Sequence, residues 1–391
     1  MNDENKKIAL TNLEFILVII VAALLGLGIS YIIRPVTLKN SNYKKVDSNI
    51  QTIIDTYNRI LENYYTDLDE STIVDGAIKG MLDATGDPYT VYMDDSTYSN
   101  FNIQLNGAYN GIGVQIAKLG NDIVIAGIID DSPAKEAGLK VGDIIISIDD
   151  LKASEMSTYD FSTYVRNSDK SEYIINIKRN DEEKKIKVDK KHVVLKSVAS
   201  EIKEISSKKI GYIYISIFAN NTYEQFKEQL NNLESKGIDS LIIDLRDNTG
   251  GELDATTNII SLFLKHDKII YQTEDRDGNI KKTYSRGNKD KKYPIVVIVN
   301  KNTASASEVL TAALKDNLSA VVVGENTYGK GTVQTVLTAS NGEQYKMTTR
   351  KWLTPAGDWI NEKGITPTIS VELDAKKDTQ LESAIDYIVK H

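Results

Sequence analysis

The 391-residue chain contains no cysteine. That excludes a disulfide framework, a thiol nucleophile and a thiolate metal site, and leaves the compartment unreadable from cysteine usage. Histidine is nearly as scarce, with only His192, His266 and His391 present. None falls in the strand-end loops that carry the other polar candidates, so a histidine base of the Ser–His–Asp kind is not expected. No HExxH pair and no spaced cluster of carboxylates looks like a metal site, and no cofactor is expected. A basic tract is missing too. The formal charge of −8 and pI near 5.2 argue against nucleic acid as a partner, because a phosphate-binding surface normally brings a basic excess. There is no internal repeat and no low-complexity tract. What remains is ordinary globular composition, 41% hydrophobic and 26% charged, over a length that suits two or three domains.

One long apolar run stands out, Phe15–Ile33, behind a short charged head. It is long enough to cross a hydrocarbon core of roughly 30 Å as a helix. No clear small-x-small cleavage site follows it and it exceeds a typical signal-peptide h-region, so a single uncleaved N-terminal transmembrane helix is expected. Lys6 and Lys7 precede the run, whereas Arg34, Lys39, Lys44 and Lys45 follow it. By the positive-inside count alone, the body leans toward the cytoplasm.

Beyond a polar linker, Ile50, Ile53, Ile54, Tyr57, Ile60, Leu61 and Tyr64 recur at helical spacing and predict an amphipathic helix opened near Asp47 or Ser48. A second helix is predicted over Ser71–Leu82, stopped by Gly86-Asp87-Pro88. The first serves either as a structural brace or as an arm for a homodimer. From Leu105 to Val188 the pattern becomes short strands with glycine turns. Here GIGVQI at 111–116 and SPAKEAGLKVGDIIISIDD at 132–150 resemble a PDZ domain of the kind attached to bacterial proteases. Gly111, Ile112 and Gly113 can aim consecutive N–H groups into one nest for a peptide carboxylate, with Val114 and Ile116 beside the groove where a peptide adds as a strand. Tyr173–Lys178 and Lys185–Val188, joined through Asn180-Asp181, read as a closing hairpin.

From Ile210 the grammar is α/β. Strands are predicted at Ile210–Ser216, Leu241–Leu245, near Ile269, at Ile295–Val299 and at Val321–Val323; helices at Thr222–Ser235, after the loop Arg246–Leu253, and at Ser305–Lys315. This order suits a layered core with a largely parallel sheet whose ligands sit at the carboxyl ends of the strands. Gly250-Gly251 and Ser305 fall just beyond such ends. Gly324 to Lys330 nearly matches a P-loop, but Gly331 stands where the magnesium-binding Ser or Thr is required, so nucleotide binding is rejected. What remains is a serine at a helix start and Lys330 between two glycines. Lysine serves as a base only when neutral, so its pKa must fall from about 10.4. If Lys330–Gln334 is extended, Lys330, Thr332 and Gln334 share a face, and Gln334 can accept a hydrogen bond from the amine. The residues alone do not separate Ser305 from Ser307.

TASASEVLTAALKD, VVVGENTYGKGTVQ and DLRDNTGGELD resemble the signature blocks of the carboxy-terminal processing, or tail-specific, proteases. GMLDATGDPYTVYM at 80–93 and TPAGDWINEKGITP at 354–367 extend the likeness over nearly everything after the apolar run. The resemblance implies Ser305 as nucleophile, Lys330 as base, Gln334 orienting the lysine, and Gly251 and Ala306 as oxyanion-hole donors. It also implies a tail-gated active site, with Arg166 as a candidate relay. Protein substrates with free C-terminal tails would be the partners, and the body would lie outside the bacterial cytoplasmic membrane, against the charge count. Thr303, where serine is usual, and Thr368, where an acidic residue is common, depart from the pattern outside the chemistry. The implied fold is a crotonase-like α/β core with an inserted PDZ domain and a helical N-terminal region. The boundaries are a head at 1–12, an anchor at 13–34, a linker at 35–45, helices at 46–104, PDZ at 105–190, core at 191–375 and a C-terminal helix at 376–391. The alternatives are an inactive membrane-bound PDZ adaptor and a crotonase-like acyl-transfer enzyme, the latter resting on the core alone.

Overall fold

The computed structural model describes residues 48–339 and 342–391. The expected anchor, head and linker lie outside them, and among the described residues no helix is long and apolar enough to cross a membrane. The described residues fall into two compact units, one ending at Ile78 and the other Lys79–His391.

In the first unit, α1 (Ser48–Asn63) follows the predicted stripe, yet Ile50, Ile53, Ile54 and Ile60 remain 36% to 49% exposed. Tyr57 on α1 donates to Glu70 at the start of α2 (Glu70–Asp83), 3.1 Å away.

The second unit opens with β1 (Val91–Met93) and α3 (Asp95–Asn106), a helix the sequence pattern does not predict separately because its apolar residues are sparse. Asp94 caps α3 and Gly107, at φ 67°, ends it. Then β2 (Ala108–Gly111) leads into a β-rich module: β3 (Val114–Leu119), β4 (Asp122–Ile128), α4 (Pro133–Glu136), β5 (Ile144–Ile148), β6 (Leu151–Lys152), α5 (Thr158–Asn167), β7 (Glu172–Arg179) and β8 (Glu182–Asp189). The predicted hairpin is β7–β8, and its turn residues Asn180 and Asp181 both take positive φ, which matches the right-handed twist of the strands. Ile123, Ile125, Ile145, Phe161, Ile175 and Ile177 make the module's own core. Its two ends are held together where β2 pairs antiparallel with β9 (Lys191–Val194).

The remaining elements are β10 (Val198–Ile205), β11 (Lys208–Ile215), α6 (Thr222–Ser235), β12 (Ser240–Asp244), α7 (Leu253–Ser261), β13 (Ile269–Glu274), β14 (Ile280–Tyr284), β15 (Ile295–Val299), α8 (Ala306–Leu318), β16 (Val321–Gly324), β17 (Thr332–Thr338), β18 (Gln344–Leu353), β19 (Ile369–Ser370) and α9 (Thr379–Lys390). One sheet runs β10-β11-β12-β15-β16-β19, parallel except for the β10–β11 pair. Every residue of β12 and β15 is buried because helices cover both faces. Leu241, Ile243, Val297 and Val299 pack toward α6, α7 and α8, while Ile242, Val296 and Ile298 alternate toward Ala384 and Ile388 on α9. Burial of apolar surface stabilises by roughly 25 cal/mol per Å2, and these two faces hold the large buried clusters around the sheet.

The second sheet corrects one expectation. The strand at Ile269 is not in the parallel core; β13 belongs to an antiparallel sheet ordered β1-β18-β13-β14, with β17 paired to β18. Short apolar runs carry no mark of the sheet they join. This second sheet is nonetheless what brings residues 87–93 and the stretch after Lys330 to the same place, since Val91 pairs with Lys346 and Gln334 with Thr348.

Candidate active site

Three loops leave the carboxyl ends of neighbouring parallel strands: 245–252 after β12, 300–305 after β15 and 325–331 after β16. Ser305 sits where the second loop turns into α8, with φ 56° and ψ −119°, a conformation an L residue adopts only at a cost. Its side chain is half-buried and lines a cavity of about 450 Å3 together with Lys330, Gln334, Gly250 and Gly251. Ser307, the rival in sequence, is fully buried, and its hydroxyl donates to Asn248 O at 2.9 Å. Thr303 is also committed internally, donating to Leu245 O at 2.9 Å.

The first loop presses against this turn. A methyl added to Gly250 would lie 2.8 Å from Ser305 Cβ and 2.9 Å from Ala306 N, and one added to Gly251 would lie 2.0 Å from Phe218 O. Phe218 pairs with Gly251 as an isolated bridge, its N–H donating to Gly250 O at 2.9 Å and its carbonyl accepting from Glu252 N at 2.7 Å. That leaves the N–H groups of Gly251 and Ala306 without a hydrogen-bond acceptor among the described residues. Two free N–H groups beside one serine, one of them at the positive end of α8, make a cradle for a developing negative oxygen.

Glu308 ties the serine turn to the lysine loop. It is fully buried. Its Oε2 accepts from Ser305 N at 2.7 Å and Lys330 N at 2.9 Å, and its Oε1 from Gly329 N at 2.7 Å and Thr327 Oγ1 at 2.5 Å. Burial pushes its carboxyl pKa up, and the four donors oppose that by favouring the ionised form. In sequence, Ser305 and Glu308 have the spacing of a capping box, which is the signal that finds this residue.

The lysine loop has a fixed backbone. Trp352 Nε1 donates to Lys330 O at 2.6 Å, Trp359 Nε1 donates to Gly331 O at 2.8 Å, and Gly331 N donates to Asn361 Oδ1 at 3.1 Å. There is no room for side chains at the flanking glycines, where an added methyl would stand 2.7 Å from Gly364 N or Asn361 N. The amine itself lies 4.5 Å from the centre of the Tyr89 ring and donates no hydrogen bond to Ser305 or Gln334 in this state. Burial and the nearby Lys346 ammonium push its pKa down to about 8, against the pull of Asp87 and Glu308. Gln334, on β17, donates through Nε2 to Thr332 Oγ1 at 2.9 Å and Thr348 Oγ1 at 3.1 Å. Lys346, Asp87 and Tyr89 are neighbours that sequence reading did not single out, because β1 and β18 come together only through the second sheet.

The expected tail-binding residues meet in a second cavity, of about 440 Å3, lined by Gly111, Ile112, Gly113, Val114, Ile116 and Arg166. Arg166 comes from α5, which is not among the helices expected from the sequence although Ser157 and Asp160 form a capping box at its start. Gln104 on α3 lines both cavities. His192, His266 and His391 are all exposed.

Comparison with known proteins bears directly on this geometry. The chain is 36% identical over 328 residues to "Carboxy-terminal processing protease CtpB" of Bacillus subtilis, covering 83% of this chain and 68% of that protein. It belongs to the carboxy-terminal processing proteases. The protease is a serine-type peptidase. It is 34% identical to "Carboxy-terminal processing protease CtpA" of the same organism, over 84% of this chain and 70% of that one. A "Probable CtpA-like serine protease" of Staphylococcus aureus is 31% identical over 95% of this chain and 75% of its own length. Residues 209–371 of the protease match Peptidase family S41, 110–189 match a PDZ domain, and 32–97 match the "Activating protease CtpB N-terminal domain". Among solved structures, the photosystem II D1 C-terminal processing protease superposes with a TM-score of 0.51 at 26% identity, covering 83% of this protease and 86% of that chain. A putative S41 protease from Bacteroides fragilis shares the fold at 15% identity and a TM-score of 0.51, over 84% and 98% of the two chains.

Proposed function

We propose that this carboxy-terminal processing protease cleaves with a Ser305–Lys330 dyad, that Gln334 orients the lysine, and that Gly251 and Ala306 hold the oxyanion. The observation that carries the reading is one cavity lined by a half-buried serine, an amine pushed down to about 8 and Gly251, with the unengaged N–H of Ala306 on the residue after the serine. Lys330 Nζ takes the Ser305 proton as Oγ attacks the scissile carbonyl carbon, and the oxygen turns its charge toward Gly251 N and Ala306 N. The lysine then returns the proton to the leaving amine, and water releases the acyl group by the same route. For this the amine leaves the Tyr89 ring and swings to Ser305. Substrates are proteins recognised by a free C-terminus in the Gly111–Val114 groove. Tail binding shifts the equilibrium toward the aligned dyad by its differential affinity for the two states, with Arg166 as relay.

The body is placed outside the bacterial cytoplasmic membrane, held by Phe15–Ile33 as an uncleaved anchor; the family membership supports this over the charge count. The exposed stripe of α1 would serve a homodimer. The decisive experiment is cleavage of an unstructured protein ending in apolar residues by the full chain in detergent, beside Ser305→Ala and Lys330→Ala. Both variants should lose turnover; equal cutting by all three would refute the dyad. Protease treatment of spheroplasts should digest the body, and a body left intact while the membrane is whole would refute the placement.

A further inference from the structure

Gly251 carries its N–H on the freest backbone a chain can have. Gly250 and Gly251 are adjacent glycines at φ 102° and φ 133°, and no side chain of their own imposes those angles. A donor carried there is placed only if neighbouring groups hold the peptides. Phe218 holds one of them, its N–H donating to Gly250 O at 2.9 Å. Because that peptide is planar and trans, the same bond sends the Gly251 N–H to the opposite side. The preceding peptide is held by Asn248, whose Oδ1 accepts from Gly250 N at 2.9 Å.

Asn248 is fully buried, and its amide and both its backbone groups are engaged. Its Nδ2 donates to Ile215 O, at the end of β11, at 2.9 Å, and its own N–H donates to Leu245 O at 3.2 Å. Its carbonyl accepts twice, from Ala304 N at 3.1 Å and from Ser307 Oγ at 2.9 Å. Ala304 and Ser307 flank Ser305 and Ala306. One residue is therefore bonded beside both unengaged N–H groups, to the neighbour of Gly251 through its side chain and to the neighbours of Ala306 through its backbone. The amide is what the place requires. Gly250 N can only donate and Ile215 O can only accept, so one acceptor and one donor are needed on the same short branch, a pair that an ionised carboxylate or a hydrocarbon cannot supply.

We propose that Asn248 is a positioning residue that sets the spacing of the two oxyanion donors, its side chain holding the Gly250-Gly251 turn and its carbonyl holding the serine turn. The inference rests on the reading of Gly251 and Ala306 as those donors. Asn248 itself touches no reacting atom. It ties three segments, the end of β11, the loop after β12 and the start of α8, into one frame around the place where negative charge develops.

Two variants of nearly the same size separate the amide's hydrogen bonds from its bulk. Asn248→Asp, when ionised, still accepts from Gly250 N but sets an oxygen against Ile215 O; when protonated, it donates to Ile215 O and reproduces the amide. Burial and the facing carbonyl should raise its pKa by up to about 3–5 units from the usual value of about 4. Of the charged groups on the adjoining segments, Asp247 and Glu308 add to that rise, and Arg246, paired with Asp244 and Asp378, offsets it. Asn248→Leu offers neither a donor nor an acceptor at any pH.

The test is steady-state cleavage of an unstructured protein with an apolar C-terminus by the full chain in detergent, from about pH 6 to about pH 10, well below each variant's melting temperature at each pH. The kcat of Asn248→Asp relative to wild type should start near one at the acid end and fall by about 10- to 100-fold as the carboxyl ionises, while Asn248→Leu should be lower than wild type by about 100-fold throughout. KM should stay within about two-fold in both, because only the transition state uses the cradle. A merely structural role would move the melting temperature and leave kcat of the folded enzyme alone. An Asn248→Asp ratio that does not fall with pH, or wild-type kcat in Asn248→Leu, would overturn the inference. If Gly251→Ala turns over like the wild type, the oxyanion reading itself fails, whatever the Asn248 variants do.

Discussion

Replacing Glu308 by glutamine keeps the shape of the side chain and changes what it can accept. Four donors converge on the carboxylate: Ser305 N and Lys330 N on one oxygen, Gly329 N and Thr327 Oγ1 on the other. Glutamine has one acceptor oxygen, so its NH2 must face one of these pairs. The better orientation turns the NH2 toward Thr327, whose hydroxyl can rotate to accept, and strands only the Gly329 N–H. One stranded buried donor costs about 1–3 kcal/mol, and the loss of ionic character in the other bonds adds about 1 kcal/mol, for roughly 2–4 kcal/mol in total. At roughly 2 °C per kcal/mol for a domain of this size class, differential scanning calorimetry should show the unit melting about 4–8 °C lower. The chemical cost should be larger, because the carboxylate spans both the serine turn and the lysine loop. A displaced oxyanion donor alone is worth about 100-fold in kcat. Glu308→Gln that melts with the wild type and retains its kcat would refute the claim that this carboxylate holds the two loops in register.

Two further perturbations address the electrostatics and the cradle. On the proposed dyad, the acid limb of kcat/KM should titrate near the Lys330 pKa of about 8, activity rising with pH as the amine becomes neutral. Lys346→Met removes the positive neighbour, so the Lys330 pKa should rise and the limb move to higher pH, each unit cutting the neutral fraction near pH 7 about tenfold; a limb that stays put would sink the argument. Gly251→Ala must fit a methyl 2.0 Å from Phe218 O at φ 133°, so a fall in kcat of about 100- to 1,000-fold is expected, read against melting temperature to show that the fold survives.

Much of the core could be read directly. Ile295–Val299 and Thr222–Ser235 have in the structure the bounds their patterns predict, since a continuous β-branched run and a 3.6-residue stripe each permit little else. The P-loop was excluded by one residue, Gly331, which here is pinned against Asn361 and Trp359. Other features were hidden for physical reasons. Gln104 lies on α3, whose apolar positions form only a weak stripe, whereas α5 lies inside a stretch that reads as strands although Phe161, Tyr164 and Val165 stand at helical spacing behind the Ser157–Asp160 capping box. Glu308 was not singled out, because its capping-box spacing from Ser305 says nothing of the tie to the lysine loop that the fold adds. The choice between Ser305 and Ser307 needed either the family pattern or three dimensions, where Ser307 spends its hydroxyl on Asn248 O. Lys346 and Asp87 lie 259 positions apart and meet the lysine only because an antiparallel sheet, invisible to local periodicity, joins residues from both ends of the unit.

With Ser305 as the proposed nucleophile, its backbone limits which nucleophiles evolution can try at this position. At φ 56° and ψ −119° a side chain branched at Cβ would crowd the peptide groups on either side. Threonine offers the same hydroxyl, yet the turn shuts it out, whereas an unbranched side chain such as cysteine would fit the same angles. Lineages that keep this turn are therefore steered away from threonine by geometry, before any comparison of reactivity begins.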